Sequence, residues 1–143
     1  MDDPYNLQRF VDAQEGISAT ALGELRKGRK QSHWMWFIFP QLKGLGRSSI
    51  SEHYGIASLE EARAYIHHPV LGNRLVECVY AILHWAGRRS AEQIFGPVDA
   101  LKLRSSLTLF DQVYPEDVFA EALDRFCDGD RDERTLALSR LRL

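Results

Sequence analysis

The apolar positions of this chain recur at helical spacing almost from end to end. Leu7, Phe10, Val11 and Gln14 fall at i, i+3, i+4 and i+7 behind Asn6, which is placed to cap a first helix. Ser18 opens a second, with Ala21, Leu22 and Leu25 inward and a stop at Gly28. Ser58 with Glu61, and Ser90 with Gln93, form capping boxes for helices reaching Ile66 and Phe95. Pro69, Pro97 and Pro115 suit the first turns of helices extending toward Ala86, Val113 and Gly129, and residues 132–141 supply a last one. The run from Trp34 to Phe39 is the one candidate for a buried strand. No neighbouring segment alternates to pair with it, so it reads as a short buried helix ended by Pro40. The pattern predicts an all-α fold: a single compact domain, residues 1–143, of about eight short helices.

Two segments are informative when projected at 100° per residue. Across 70–86, Leu71, Leu75, Cys78, Val79, Ile82 and Ala86 share one face, while Asn73, Glu77, Tyr80 and His84 share the other. That is an ordinary amphipathic core helix. Across 98–113, Leu103, Leu107 and Phe110 form one apolar stripe, and Val98, Leu109 and Val113 a second. Arg104 and Asp111 mark the solvent side, so Lys102 and Ser105 fall among core-facing neighbours. An inward lysine needs a route to water, a partner or a cavity. Asp99 one turn earlier and Ser106 one turn later are in reach.

Composition adds mainly exclusions. The 143 residues are 45% hydrophobic and 27% charged, with 18 basic and 20 acidic side chains giving a formal charge of −2. A chain of this size buries roughly 68% of its unfolded surface, enough for one core without metal or disulfide support. The charge balance provides no global field toward nucleic acid or an anionic membrane, so neither is expected as a partner. The longest apolar run is far short of the ~20 residues a membrane span requires. The acidic start Met-Asp-Asp-Pro does not read as a secretory signal, and the expected location is cytoplasmic. Cys78 and Cys127 are too few for a disulfide framework, His67 and His68 diverge on a helix, and no metal or cofactor motif appears.

The chemistry-bearing residues concentrate between Gly28 and Ser49. Lys30 and Arg47 beside Trp34 and Trp36 can hold an anionic, aromatic ligand by ion pairing and stacking. The plainer alternative is that the cations offset a helix dipole and the indoles fill the core. His33, between the basic cluster and the aromatic run, could act as a general base or be a hydrogen-bonded structural histidine. Gly44-Leu-Gly46 before Arg47, Ser48 and Ser49 resembles half of a phosphate-cradling loop, but it follows no strand and lacks the third glycine and the lysine of such loops, so an ordinary turn explains it better.

The run Gly28-Arg-Lys-Gln-Ser-His-Trp-Met-Trp-Phe-Ile-Phe-Pro-Gln41 and the following Gly-Leu-Gly resemble the domain of unknown function 1810 family. So does Ile94-Phe-Gly96 with Asp99, Lys102, Ser105, Ser106, Thr108, Leu109 and Phe110. Arg9, Phe10, Gln14, Tyr54, Glu61, Tyr65 and the Thr135 region also fit, so the resemblance covers nearly the whole chain. It implies a mainly helical, cytosolic bacterial protein and supplies no activity. A calpain-inhibitor label carried by some members conflicts with a composition that predicts a packed domain rather than a disordered chain.

Two functions compete on this basis. In the first, a small-molecule pocket lies between the aromatic segment and the 98–113 helix and takes a nucleotide or similar anionic aromatic ligand. Trp34 or Trp36 would stack, Lys30, Arg47 and Lys102 would meet the anion, and Asp99 would pair with the lysine. Gln14 and Gln41 would orient polar edges, Ser48 and Ser105 would donate hydrogen bonds. His33, with Lys102 as the second candidate catalytic group, would serve a hydrolytic or group-transfer step. In the second, the same aromatic and basic residues form a non-catalytic interface to another protein or to a second copy in a homo-oligomer.

Overall fold

The computed structural model describes residues 2–142, and among them it contains ten helices and no strand. They are α1 (Gln8–Gln14), α2 (Ser18–Arg26), α3 (Met35–Ile38), α4 (Ser49–His53), α5 (Leu59–His67), α6 (Leu71–Leu83), α7 (Ala91–Phe95), α8 (Pro97–Val113), α9 (Val118–Cys127) and α10 (Glu133–Leu141). Helix α8 is the axle, packed against α5, α7, α9 and α10. Its Leu103, Leu107 and Phe110 are fully buried, and Phe110 meets Tyr65 of α5 and Phe119 of α9 at centroid distances of 5.3 and 5.7 Å. Aromatic pairs at this spacing combine area burial with favourable ring electrostatics.

The predicted faces are realised where they face the core. Leu71, Leu75, Cys78, Val79 and Ile82 of α6 are all buried, and Asn73, Glu77, Tyr80 and His84 are exposed. Ser90 and Gln93 complete a reciprocal capping box. Ser58 accepts from the Glu61 amide, while the Glu61 carboxylate reaches one residue further back to the Ala57 amide. The aromatic run closes a single helical turn, α3, before Pro40.

Helix starts and one surface differ from the sequence reading. Asn6 does not cap α1. It sits at φ 52°, and Asp3 accepts from the Leu7 and Gln8 amides instead. Pro115 does not open α9 either, because Asp117 accepts from the Val118 amide and starts the helix later. Arg104 and Asp111 are not left to solvent: the turn before α10 covers them, pairing Arg104 with Asp132 at 3.6 Å and Asp111 with Arg131 at 3.4 Å. Val98 is 66% exposed, so the second stripe of α8 is buried only in part.

One irregular segment shapes the molecular surface. Residues 40–48 leave α3, and an isolated parallel bridge between Leu42 and Ile56 pins them. The Lys43 amide donates to the Ile56 carbonyl and the Ile56 amide to the Gln41 carbonyl. The Arg142 guanidinium, beyond α10, donates to the Lys43 carbonyl from the other side.

Candidate functional site

The site is built from the loop after α2, the α3 turn and the first half of α8. Gly28 adopts φ 74° and returns its amide to the Leu25 carbonyl, a left-handed helix stop that suits glycine. The chain then runs across α7, where the Lys30 amide donates to the Ile94 carbonyl at 2.7 Å. This places the Lys30 ammonium 2.9 Å from Asp99 and 5.0 Å from the Trp34 ring centroid, also donating to the Ser32 carbonyl.

Asp99 is shared. Its second oxygen lies 3.5 Å from the Lys102 ammonium, which in turn stands 4.8 Å from the centroid of Trp36. Two cations therefore bracket one carboxylate, each resting on an indole face, and the cluster keeps a net positive charge. The two lysines are not equivalent. Lys30 is 8% exposed and is held by Asp99 and the Ser32 carbonyl, whereas Lys102 is 27% exposed and lines the surface groove.

Lys102 and Gln41 stand between two hollows. Toward the core is a slot of about 10 Å³ beside Trp36, Phe39 and Tyr54, room for little more than a water molecule. Toward the surface is a groove of about 310 Å³ whose walls include Leu45, Val98, Leu101, Ser105 and Arg134. Ser105 is buried and its hydroxyl donates to the Leu101 carbonyl, so toward the groove it offers an acceptor rather than the expected donor. Ser106 does not approach Lys102 in any hydrogen bond. Its hydroxyl is buried without a partner among the described residues.

The structure thus brings together Trp36, Gln41, Asp99, Lys102 and Ser105, with Lys30 joined through Asp99. It separates the others. Trp34 is fully buried, with its indole N–H donated to Glu24 at 3.0 Å, and presents no face to either hollow. His33 is exposed and lines neither hollow. Arg47 is exposed, and Ser48 accepts from the Ser51 amide as the cap of α4. Gln14 lies on a different cavity, between α1, α2 and α6. Leu45, Val98, Leu101 and Arg134 were not foreseen. Val98 belongs to the apolar stripe that reads as core-facing and Leu101 follows it by three residues, so neither their exposure nor the arrival of Arg134 has a signal in the sequence.

The ionisations of Glu24, Cys78 and Cys127 are displaced by their surroundings. Burial raises the Glu24 carboxyl. The Ser32 hydroxyl, the Gln31 and Ser32 amides and the Trp34 indole donate to its charged form and together prevail, leaving its pKa at about 2. Burial pushes Cys78 up to about 12 and Cys127 up to about 11, so neither thiol resembles an activated nucleophile. Among the described residues, no group of three or more His, Cys, Asp or Glu side chains is placed to hold a metal ion.

A family model described as a protein of unknown function (DUF1810) matches residues 4–139. The chain belongs to this family. The crystal structure of the conserved hypothetical protein Rv1873 from Mycobacterium tuberculosis is 50% identical in sequence and superimposes with a TM-score of 0.91, over 95% of this chain and 97% of that one. No curated protein matches. For DUF1810, then, relatives supply the fold, and the chemistry must be read from the side chains. No helix among the described residues is long and apolar enough to cross a membrane.

Proposed function

We propose that this protein binds a small anionic ligand with a planar portion, of the nucleotide or nucleotide-sugar class, in the groove beside α8. The observation that supports this reading is the setting of Lys102. Its ammonium is held between Asp99 and the Trp36 face, yet remains open to a groove that Arg134 also lines, together with Asp132, whose carboxylate is paired with Arg104 at 3.6 Å. The anion would sit on Lys102 and Arg134. Leu45, Val98 and Leu101 would cover the planar portion, with Gln41 and Ser105 meeting its polar edge. A volume of about 310 Å³ is at the small end of ligand pockets, which favours a mononucleotide over a dinucleotide. The reading is one of binding: His33 stands outside the groove, so no proton-transfer step is assigned to it.

The test is calorimetric titration of the full chain with nucleoside monophosphates and nucleotide sugars, followed in parallel by tryptophan fluorescence. At least one should bind saturably. Lys102→Met should weaken it tenfold or more, as expected for loss of a charge-assisted contact of about 1.4 kcal/mol or greater. A Lys102→Met variant with unchanged affinity, or no binding by any member of the series, overturns the reading.

A second reading has its own observation. Val98 and Leu101 are 66% and 64% exposed on one face of α8, an apolar rim that a partner protein or a second copy would cover. Sedimentation velocity separates the two: self-association abolished by Leu101→Asp favours the interface, while a strict monomer disfavours the version with a second copy.

A further inference from the structure

The cavity that holds Gln14 is separate from the Lys102 groove and has a different chemistry. It is about 230 Å³, and its walls are largely apolar, formed by Leu22 of α2, Ile38 of α3, and Leu75 and Cys78 of α6. Arg74 lines it as well. Among the described residues this guanidinium has no carboxylate within ion-pairing distance, and its sole hydrogen-bond partner is the Gln14 side-chain oxygen at 3.2 Å. Glu77, on the same wall, is directed to Arg26 at 3.5 Å.

Gln14 aims the cation. It is 1% exposed, and its amide nitrogen donates to the Phe37 carbonyl at 2.7 Å and to the Tyr65 hydroxyl at 3.2 Å. Those two bonds fix which way round the amide lies, so its oxygen must face Arg74. A buried amide with every position assigned is costly to misplace. It holds one edge of the guanidinium and leaves the remaining N–H donors without protein acceptors. A planar fork of donors on the wall of a largely apolar hollow matches a carboxylate that carries a short hydrocarbon or single-ring tail.

We infer that this cavity is a second ligand site, taking a small monocarboxylate with its carboxylate on Arg74 and its apolar tail between α2, α3 and α6. The inference is independent of the groove beside α8. The cavity bounds the tail: about 230 Å³ accommodates a six- to eight-carbon chain or a phenyl ring, by comparison with a dry cavity of about 150 Å³ that holds benzene.

The test is an NMR titration of the full chain with hexanoate, octanoate and benzoate, with 1-hexanol and benzyl alcohol as uncharged matches. The methyl groups of Leu22, Ile38 and Leu75 report this cavity, and those of Leu45, Val98 and Leu101 the other groove. The expected result is saturable shifts confined to the first set, with hexanoate bound at least tenfold more tightly than hexanol. Arg74→Met should remove that preference. Ala19→Phe, at an exposed α2 position on the cavity wall, should block entry without touching the cation, which keeps the test decisive if Arg74→Met fails to fold. Lys102→Met should leave hexanoate binding unchanged. Equal binding of alcohol and carboxylate, shifts confined to the second set, or no saturable shift with any probe overturns the inference.

Discussion

Glu24 accepts the indole N–H of Trp34 at 3.0 Å, ten residues along the chain and across the loop that follows α2. The same carboxylate accepts from the Gln31 and Ser32 amides at 2.7 and 3.0 Å and from the Ser32 hydroxyl. One buried anion thus organises the basic loop, orients the aromatic turn, and fixes the start of the segment that delivers Lys30 to Asp99.

That arrangement makes stability depend on acid in a defined direction. The Glu24 carboxyl ionises at about 2 when folded, against an ordinary 4.5. Its contribution is therefore complete above the unfolded value and is lost as pH falls from about 4.5 toward about 2. Glu24→Gln should unfold at lower urea at neutral pH, by about 1.5–3 kcal/mol for hydrogen bonds to a charged group. The gap between wild type and variant should then narrow steadily over that acid range. A gap independent of pH would contradict the assignment.

Arg9 is the corresponding hub for the N-terminal segment and the start of α5. It is 2.8 Å from Glu61, with side-chain exposures of 10% and 4%, and donates to the carbonyls of Tyr5, Asn6, His53 and Gly55. Removing it strands a buried carboxylate. Arg9→Met should cost about 3–5 kcal/mol in urea unfolding. Arg9→Lys should recover little, since an ammonium cannot reproduce a fork that serves four carbonyls and a carboxylate.

Two helical glycines should respond in opposite ways. A Cβ at Gly72 would stand 2.0 Å from the Ile66 carbonyl oxygen, so alanine there forces α5 and α6 apart and should cost about 3 kcal/mol. A Cβ at Gly23 meets nothing within 4 Å, so Gly23→Ala should stabilise by about 0.5–1 kcal/mol through helix propensity. Thermal melts of the two variants, read against wild type, check both signs.

The fold was readable because helical spacing and capping residues are local. Ser90 with Gln93, the buried face of α6 and the turn ending at Pro40 all depend on neighbours within a few residues. The helix starts that shifted did so because a competing acceptor, Asp3 or Asp117, took over the free amides. The candidate site was readable only in part. Asp99 and Lys102 are three apart on one helix, so their pairing is implicit in the sequence. Nothing local reveals that Trp34 satisfies its N–H on α2, or that Gln14 turns to Arg74, 60 residues away. Those contacts are long-range hydrogen bonds, and residue type alone made both side chains resemble ligand contacts. Arg134 reaches the groove only because the segment before α10 folds back over Arg104 and Asp111.

The hydrogen bond from Arg142 to the Lys43 carbonyl joins positions 99 residues apart. Closing so wide a loop is slow compared with winding a helix. During refolding, helicity should return first, and the surface hollow bounded by residues 41–46 should acquire its final shape afterwards. Until that clasp forms, the 41–46 segment is held only by its bridge to Ile56, so the last refinement of this surface waits on a contact made across most of the fold.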